Sequence, residues 1–99
     1  MAAELIVAPE AQQDLDSAYA WYEGQQPGLG EVFLSRVDAC IQALLRRPEM
    51  HPTVLEDYRR ALVRRFPYAV FYEFSNDRVT VYTVSHTSRD PEKWRQRLS

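Results

Sequence analysis

The sequence predicts an α+β fold in which two helices precede an antiparallel sheet. In the first half of the chain apolar residues recur at helical spacing, and in the second half three stretches are rich in Tyr, Phe and Val. Helices followed by a run of strands are typical of α+β domains, whereas strict alternation of strand and helix indicates a parallel sheet. At 99 residues the chain is expected to form a single domain over residues 1–99.

The first half of the chain predicts an N-terminal strand and a helical hairpin. The apolar run Ala3–Ala8 is a candidate strand, and Pro9 stands where a first helical residue tolerates proline. The first helix is expected to run to about Glu23, where "GQQPGLG" interrupts it, and the second is expected to end at or before Pro48. The apolar stripes are Ala11, Leu15, Ala18, Tyr19 and Tyr22 on the first helix and Phe33, Val37, Cys40, Ile41 and Leu44 on the second.

The second half predicts a three-stranded antiparallel meander and a short closing helix. The segment "PEMHPTVLED" is a loop or the beginning of a strand, and the three strands are "YRRALVRRF", "PYAVFYEFS" and "RVTVYTVSHTS". Asn76 and Asp77 supply the turn between the last two strands. The closing helix "RDPEKWRQRL" is expected to have Asp90 as its N-cap and Pro91 at its first position.

Composition and charge exclude several classes of protein. The lone cysteine, Cys40, excludes an intramolecular disulfide and fits a reducing compartment. No apolar run is long enough to span a bilayer and no signal peptide precedes the domain, so a soluble cytoplasmic protein without membrane contact is expected. His51 and His86 stand apart from any ligand cluster, and no nucleotide-binding or hydrolase motif occurs, so neither a metal nor a cofactor is predicted.

The net charge of −2 conceals an asymmetry between the two halves. Residues 1–45 contain seven acidic residues and one arginine, and residues 46–99 contain eleven basic residues and seven acidic ones. Eleven of the twelve basic residues are arginines, whose planar guanidinium suits pairing with carboxylate or phosphate. The basic half therefore faces either a polyanion, an acidic partner, or the acidic helices of the same chain.

Four arginines concentrate this charge in the predicted strand Tyr58–Phe66. Side chains alternate between the two faces of a strand, which places Arg60 and Arg64 on one face and Arg59 and Arg65 on the other. Charge on both faces requires that one pair extends past apolar neighbours or meets carboxylates. Pairing with the acidic helices is one interpretation, above all for Arg59 and Arg60. A functional surface is favoured for Arg64 and Arg65, which precede "FPY".

A second candidate cluster lies near the C-terminus. His86 ends the last predicted strand, and Arg89 follows three residues later, so both could face a cleft beside Arg64 or Arg65. A histidine for proton transfer and arginines for the charge of the transition state suit phosphate chemistry on RNA. The alternative is that His86 forms a hydrogen bond with the backbone at the end of its strand.

Two long segments of the chain resemble the RelE/ParE superfamily of bacterial type II toxin–antitoxin toxins. They are "APEAQQDLDSAYAWYE" and "VRRFPYAVFYEFSNDRVTVYTVSHTSRDPEKW", of which "RRFPYAVFYE" and "VSHTSRDPEKW" are the most specific parts. The resemblance implies a toxin that a small cognate antitoxin neutralises by wrapping around it. RelE-like members cleave mRNA in the ribosomal A site, and ParE-like members inhibit DNA gyrase without being nucleases.

The residues favour the ParE-like branch of that resemblance. RelE-like nucleases generally use a basic cluster of lysines and arginines with a tyrosine near the C-terminus, or a His–Tyr ending. Here no tyrosine follows Tyr82 and Lys93 is the only lysine. The "HxxRxPxxW" ending is closer to ParE-like members, so the chain is expected to be a gyrase-directed toxin rather than an enzyme. Two alternatives stay open, an mRNA endonuclease using Arg65, His86 and Arg89, and a non-toxic binding module of the same fold.

The expected partner is an antitoxin with an acidic, partly apolar segment, because carboxylates form strong directional pairs with arginine. The sequence does not define the oligomeric state. The residues expected to contact the antitoxin or the target are Arg59, Arg60, Arg64, Arg65, Tyr68, His86 and Arg89.

Overall fold

The computed structural model describes residues 3–88 and 91–98 and confirms the α+β prediction. The elements are β1 (Glu4–Val7), α1 (Pro9–Gln25), α2 (Leu29–Arg46), β2 (Thr53–Leu55), β3 (Tyr58–Leu62), β4 (Tyr68–Ser75), β5 (Arg78–His86) and α3 (Pro91–Leu98). They form a five-stranded sheet in the order β1-β5-β4-β3-β2. β1 runs parallel to β5, and the other neighbouring strands are antiparallel.

The helical hairpin α1–α2 packs on one face of the sheet and encloses the main core. Phe33 and Leu44 of α2 and Val70 and Tyr72 of β4 are completely or almost completely removed from water there. Burial of this apolar surface is the main favourable contribution to folding. Within the described ranges, no helix is both long enough and apolar enough to cross a membrane.

The turn of the hairpin depends on two glycines and one carboxylate. Gly28 has a φ of 90°, a conformation in which side chains are strained, and a Cβ on Gly30 would come within 2.8 Å of the Tyr19 ring. The Glu23 carboxylate accepts hydrogen bonds from the amides of both glycines, at 2.8 and 2.9 Å. The carboxylate thereby satisfies amide donors at the beginning of α2 that the helix itself leaves without acceptors.

The opposite face of the sheet is covered in part by α3. The Trp94 ring stacks on Phe71 with the ring centroids 4.6 Å apart, and Leu98 is buried beside Ala69. The helix begins at Pro91, as expected. The predicted N-cap Asp90 lies outside the described residues.

The predicted strand Tyr58–Phe66 is wrong beyond Leu62, where β3 ends. The chain turns there because Pro67 has no amide hydrogen to extend the ladder and Arg65 adopts a φ of 72°. The Val63 amide donates to the Tyr68 carbonyl and closes the turn. Only Arg59 and Arg60 therefore lie in the strand, where their side chains point to opposite faces as predicted. Arg64 and Arg65 lie in the turn that follows, so the predicted alternation does not extend to them.

The sheet is larger than the predicted meander because both of its edges gain a strand. β2 comes from the segment described above as a loop or a beginning strand, and it pairs with β3. β1 pairs with β5 only as far as Val81, after which the chain turns into α1. At the same point the register of β4 and β5 shifts, since Tyr72 pairs with Val81 and Phe71 with Thr83, which leaves Tyr82 as an extra residue.

Asp14 of α1 replaces the strand neighbour that β5 loses after Val81. One oxygen of its buried carboxylate accepts hydrogen bonds from the Val84 amide and the Thr83 hydroxyl, both at 3.0 Å. The same carboxylate forms ion pairs with Lys93 and Arg97 of α3. A single side chain therefore connects the helical hairpin, the sheet edge and the closing helix.

Replacing Asp14 with alanine should destabilise the protein by about 2–4 kcal/mol, because a buried amide and two cations would lose their acceptor. Asp16→Ala is the matched control, since Asp16 lies on the same helix, is exposed and bonds only Gln12 among the described residues. Urea denaturation measures both free energies of unfolding. Similar values for the two variants would contradict the role assigned to Asp14.

Candidate functional site

Arg59 holds a loop onto the sheet. It is half-buried on the helix-facing side of β3, and its guanidinium donates to the carbonyls of His51 and Glu49, at 2.6 and 3.2 Å. On the neighbouring strand the Tyr72 hydroxyl donates to the Pro48 carbonyl at 2.7 Å. The loop after α2 is thus fixed at three carbonyls, and the acceptors of Arg59 are backbone oxygens rather than carboxylates of the acidic helices.

The other three arginines of the predicted cluster are not used in this way. Arg60 is half-buried on the opposite face of β3, and Arg64 and Arg65 are exposed in the turn that follows. None of the three side chains forms a hydrogen bond or ion pair with another residue of the part that the structure describes. They are therefore accessible to an external partner, and the functional surface expected at Arg64 and Arg65 stays a prediction.

Tyr68 and His86 lie opposite each other at the ends of β4 and β5. Their ring centroids are 5.3 Å apart in an edge-to-face arrangement, and Tyr68 also packs on Phe33 in the core. Tyr68 is 9% exposed, so it supports the surface around it more than it forms that surface. The predicted site residue Arg89 lies outside the described residues.

The imidazole of His86 is engaged with the backbone of its own loop. Its Nδ1 accepts the Ser88 amide hydrogen at 3.1 Å and lies 3.3 Å from the Ser88 hydroxyl oxygen. A neutral imidazole has one donor and one acceptor nitrogen, so an accepting Nδ1 places the proton on Nε2. This is the local hydrogen bond that the sequence offered as the alternative to a role in proton transfer.

Two depressions flank the sheet. The first, which we call the α1–β5 cleft, has a volume of about 260 Å³, and Ser17, Trp21, Tyr68, His86 and Lys93 are among the residues that line it. The second, which we call the α2–β3 groove, has a volume of about 280 Å³ and is lined by Arg36, Ala39, Cys40, Ala43, His51, Leu62 and Arg64.

Of the two arginines that the sequence offered beside a cleft of His86, Arg64 does not line the same depression as that histidine. His86 lines the α1–β5 cleft and Arg64 lines the α2–β3 groove. The two residues are separated because the chain turns away after Leu62 and directs Arg64 toward α2. The turn itself lies near the loop of His86, where the Thr87 amide donates to the Pro67 carbonyl at 2.8 Å.

The remaining candidate groups favour neither nucleophilic catalysis nor metal binding. Burial raises the pKa of the Cys40 thiol to about 11, and the thiol contacts the Leu62 carbonyl oxygen at 3.6 Å. A thiol with this pKa is almost entirely protonated at neutral pH and is a poor nucleophile. Over residues 3–88 and 91–98, no group of three His, Cys, Asp or Glu side chains is positioned to hold a metal ion.

Sequence reasoning missed the contacts of Asp14, although a signal was present. Asp14 lies three residues after Ala11 and four before Ala18, both of which belong to the predicted apolar stripe of the first helix. A carboxylate on the buried face of a helix requires hydrogen-bond donors nearby. The identity of those donors, on β5 and α3, depends on tertiary structure.

Comparison with known proteins identifies the family. The protein-family model for the ParE toxin of the type II toxin–antitoxin system parDE matches residues 5–91 of this sequence. The chain therefore belongs to the ParE toxin family. No individually curated protein shows detectable sequence similarity.

Solved structures share the fold at low sequence identity. The chromosomal ParDE toxin–antitoxin system from P. aeruginosa contains a chain with a TM-score of 0.78 and 14% identity, covering 87% of this chain and 97% of that one. The toxin–antitoxin complex RelBE2 from Mycobacterium tuberculosis contains a chain with a TM-score of 0.61 and 17% identity, covering 87% of this chain and 99% of that one. The RelE/ParE resemblance noted in the sequence is thereby confirmed.

Separate substitutions of Arg59 and Arg60 should distinguish a side chain that stabilises the fold from one that does not. Arg59→Ala should lower the free energy of unfolding by about 1–3 kcal/mol, because the carbonyls of Glu49 and His51 lose a charged donor. Arg60→Ala is the matched control and should change stability by less than about 0.5 kcal/mol. Chemical denaturation monitored by tryptophan fluorescence measures both, and equal effects would contradict the distinction.

Tyr72 should make the protein less stable at alkaline pH. Burial raises its pKa from 10.0 to about 12, although the charge of Arg59 opposes the shift. The unfolded chain then loses the phenol proton first, so stability should fall as pH rises above about 10 and level off near 12. In a Cys40→Ala background, Tyr72→Phe should remove part of this fall, as measured by urea denaturation from pH 9 to 12. Parallel stability curves for the two proteins would exclude the effect.

Proposed function

We propose that the chain is a toxin that a cognate antitoxin neutralises, and that its cellular target is DNA gyrase. Membership of the ParE family over residues 5–91 is the observation that carries the proposal. Both solved structures described above are named as toxin–antitoxin assemblies, which supports an antitoxin as the partner of this chain. Gyrase inhibition is a binding function, and it requires an accessible surface rather than a catalytic constellation.

The geometry of His86 supports a binding function over RNA cleavage. Cleavage by the 2′-hydroxyl of RNA needs a general base within reach of that hydroxyl. In the neutral form with Nδ1 accepting from Ser88, His86 has no free lone pair with which to take a proton. Of Arg64 and Arg65, the two arginines offered for stabilising phosphate charge, Arg64 lines a different depression from His86.

The face of the sheet opposite the helical hairpin is also poorly suited to phosphate chemistry. Tyr82, the last tyrosine of the chain, has its hydroxyl 3.4 Å from a carboxylate oxygen of Glu73 and is the donor in that pair. Burial and the negative charge of Glu73 raise the pKa of Tyr82, which makes it a weaker acid. A carboxylate beside the tyrosine would also repel a phosphodiester.

The exposed arginines supply the charge for the proposed contacts. Arg64 and Arg65 extend from the turn after β3 without competing carboxylates among the described residues. We propose that they contribute to binding of the antitoxin or the target, together with His86 and with Arg89, which the sequence places in the same role. Tyr68 supports this surface by packing beneath His86, and Arg60 is available on the other face of β3.

The purified protein should inhibit plasmid supercoiling by DNA gyrase while leaving mRNA intact in a translation extract. A double substitution of Arg64→Glu and Arg65→Glu should weaken inhibition at least about tenfold if each arginine forms a charged contact. Arg46→Glu is the matched control, because Arg46 is exposed at the end of α2 and has no hydrogen bond or ion pair among the described residues.

The assay also separates the alternatives. Undiminished supercoiling at high protein concentration would remove gyrase as the target. Cleavage of mRNA in the ribosomal A site, abolished by His86→Ala with Arg89→Ala, would establish the endonuclease instead. Normal growth of cells that express the chain without any antitoxin would indicate a binding module that has lost toxicity.

A further inference from the structure

The α1–β5 cleft lies along a short segment of sheet edge that β1 does not cover. β1 pairs with β5 only as far as Val81, and Val84, Ser85 and His86 line the cleft. The Val84 amide donates to Asp14, so it points away from β4. In an antiparallel ladder the amide and the carbonyl of one residue point to the same side of the strand. The Val84 carbonyl therefore also points away from β4, toward the cleft that this residue lines.

Aromatic rings form one wall of the cleft and support one another. Trp21 is 49% exposed, and its ring lies edge-to-face against Tyr22 with the centroids 5.0 Å apart. Tyr22 packs on Tyr68 at 6.1 Å, and Tyr68 packs on His86 at 5.3 Å between centroids. Because the two tyrosines are buried, they hold the outer rings in place, and the wall needs little ordering when a ligand binds. A half-exposed tryptophan beside a cleft favours a ligand with an aromatic group, since ring contacts add to the burial of apolar surface.

Lys93 and His86 give the cleft hydrogen-bond donors. The ion pair of Lys93 with Asp14, at 3.0 Å, uses one of the three donors of the ammonium group. His86 carries its proton on Nε2, because Nδ1 accepts from the Ser88 amide. Asp14 is the only carboxylate among the described residues that line the cleft, and its single negative charge is exceeded by the two positive charges of Lys93 and Arg97. The charge at the cleft therefore favours an anionic group.

The size of the cleft limits what it can hold. Its volume of about 260 Å³ lies just below the roughly 300–1,000 Å³ of pockets that enclose drug-sized ligands. The edge from Val84 to His86 comprises two residue steps, or about 7 Å. The cleft thus accommodates one amino-acid residue with its backbone rather than a nucleotide or a long peptide segment.

We propose that the α1–β5 cleft binds the carboxyl-terminal aromatic residue of an extended peptide. The aromatic ring packs on Trp21, the terminal carboxylate pairs with Lys93, and the amide of the terminal residue donates to the Val84 carbonyl. Peptides that bind at a sheet edge generally combine backbone hydrogen bonds with a pocket for a side chain in this way. The partner is therefore a protein whose chain ends in Phe, Tyr or Trp.

Neither an antitoxin nor gyrase is needed to test this site, which is separate from the proposed function. The probe is a six-residue Gly/Ser peptide that ends in phenylalanine with a free carboxyl group. Titration into the isotope-labelled chain should shift the indole NMR signal of Trp21, with a dissociation constant of about 1 mM or below. The indole signal of Trp94, which stacks on Phe71 at the opposite face of the sheet, should shift much less.

Changes in the peptide test its two backbone contacts. Amidation of the terminal carboxyl group should weaken binding at least about tenfold, because the charged contact with Lys93 is lost. An ester in place of the last peptide bond removes the donor to the Val84 carbonyl and should weaken binding about fivefold. Phenylacetate, which has the ring and the carboxylate but no amide, serves as the small-molecule arm.

Substitutions in the protein test the ring and the charge. Trp21→Ala should weaken binding at least about tenfold, whereas Trp21→Phe, which keeps a ring, should stay within about threefold of the wild type. Lys93→Gln should also weaken binding about tenfold. Arg95→Gln is the matched control, because Arg95 is exposed on the same helix and is not among the described residues that line the cleft. The NMR spectrum of each variant without peptide shows whether it is folded.

Each result supports or overturns the assignment. Selective loss of affinity on amidation, in Trp21→Ala and in Lys93→Gln supports it. An unchanged Trp21 signal up to about 10 mM peptide, or equal loss in Lys93→Gln and Arg95→Gln, overturns the site. Phenylacetate binding as tightly as the peptide overturns the peptide terminus as the ligand and indicates a small aromatic acid instead.

Discussion

The structure depends above all on the carboxylate of Asp14. β1 is too short to cover the whole edge of β5, so the Val84 amide would face a helix without an acceptor. Asp14 accepts from that amide and from Thr83, and its negative charge attracts Lys93 and Arg97 of α3. An unpaired buried charge is strongly destabilising, whereas a charge with this number of donors is tolerated. One residue therefore lets a short edge strand, a helical hairpin and a terminal helix form a single unit.

The arginines of the chain illustrate how identical side chains acquire different roles from their surroundings. Arg59 faces the helices and donates hydrogen bonds to the loop after α2, and Arg97 forms an ion pair with Asp14. Arg64 and Arg65 lie in a turn, where no carboxylate or carbonyl of the described chain reaches them. An arginine that is bound internally contributes to stability, and one that is exposed is accessible to other molecules. The distinction follows from the point at which β3 ends.

The local structure was predictable where it depended on periodicity. The apolar stripes of α1 and α2 predicted the helices, because a buried face imposes its spacing on the sequence, and enrichment in Tyr, Phe and Val predicted β4 and β5. The end of β3 was not predictable in this way, since the apolar and basic residues from Ala61 to Phe66 fit a strand as well as a turn. Pro67 was the available signal, because proline interrupts a central ladder.

The candidate site was less predictable than the fold, for a physical reason. His86 was expected to face a cleft beside Arg64 or Arg65, but the turn after β3 places Arg64 in a different depression from His86. The contacts of Asp14 and the groove beside α2 join residues distant in sequence, so no local pattern encodes them.

The low sequence identity to structures of the same fold is consistent with a division between side chains that stabilise the fold and side chains that do not. A chain with 14% identity and a TM-score of 0.78 retains the backbone while most side chains differ. The core requires only apolar residues of suitable size at the right spacing, a condition that many sequences meet. The side chains of Arg36, Leu62 and Arg64 form no hydrogen bond or core contact among the described residues, so the fold does not restrict which residues occupy these positions. A surface that does not stabilise the fold can be altered without unfolding the protein.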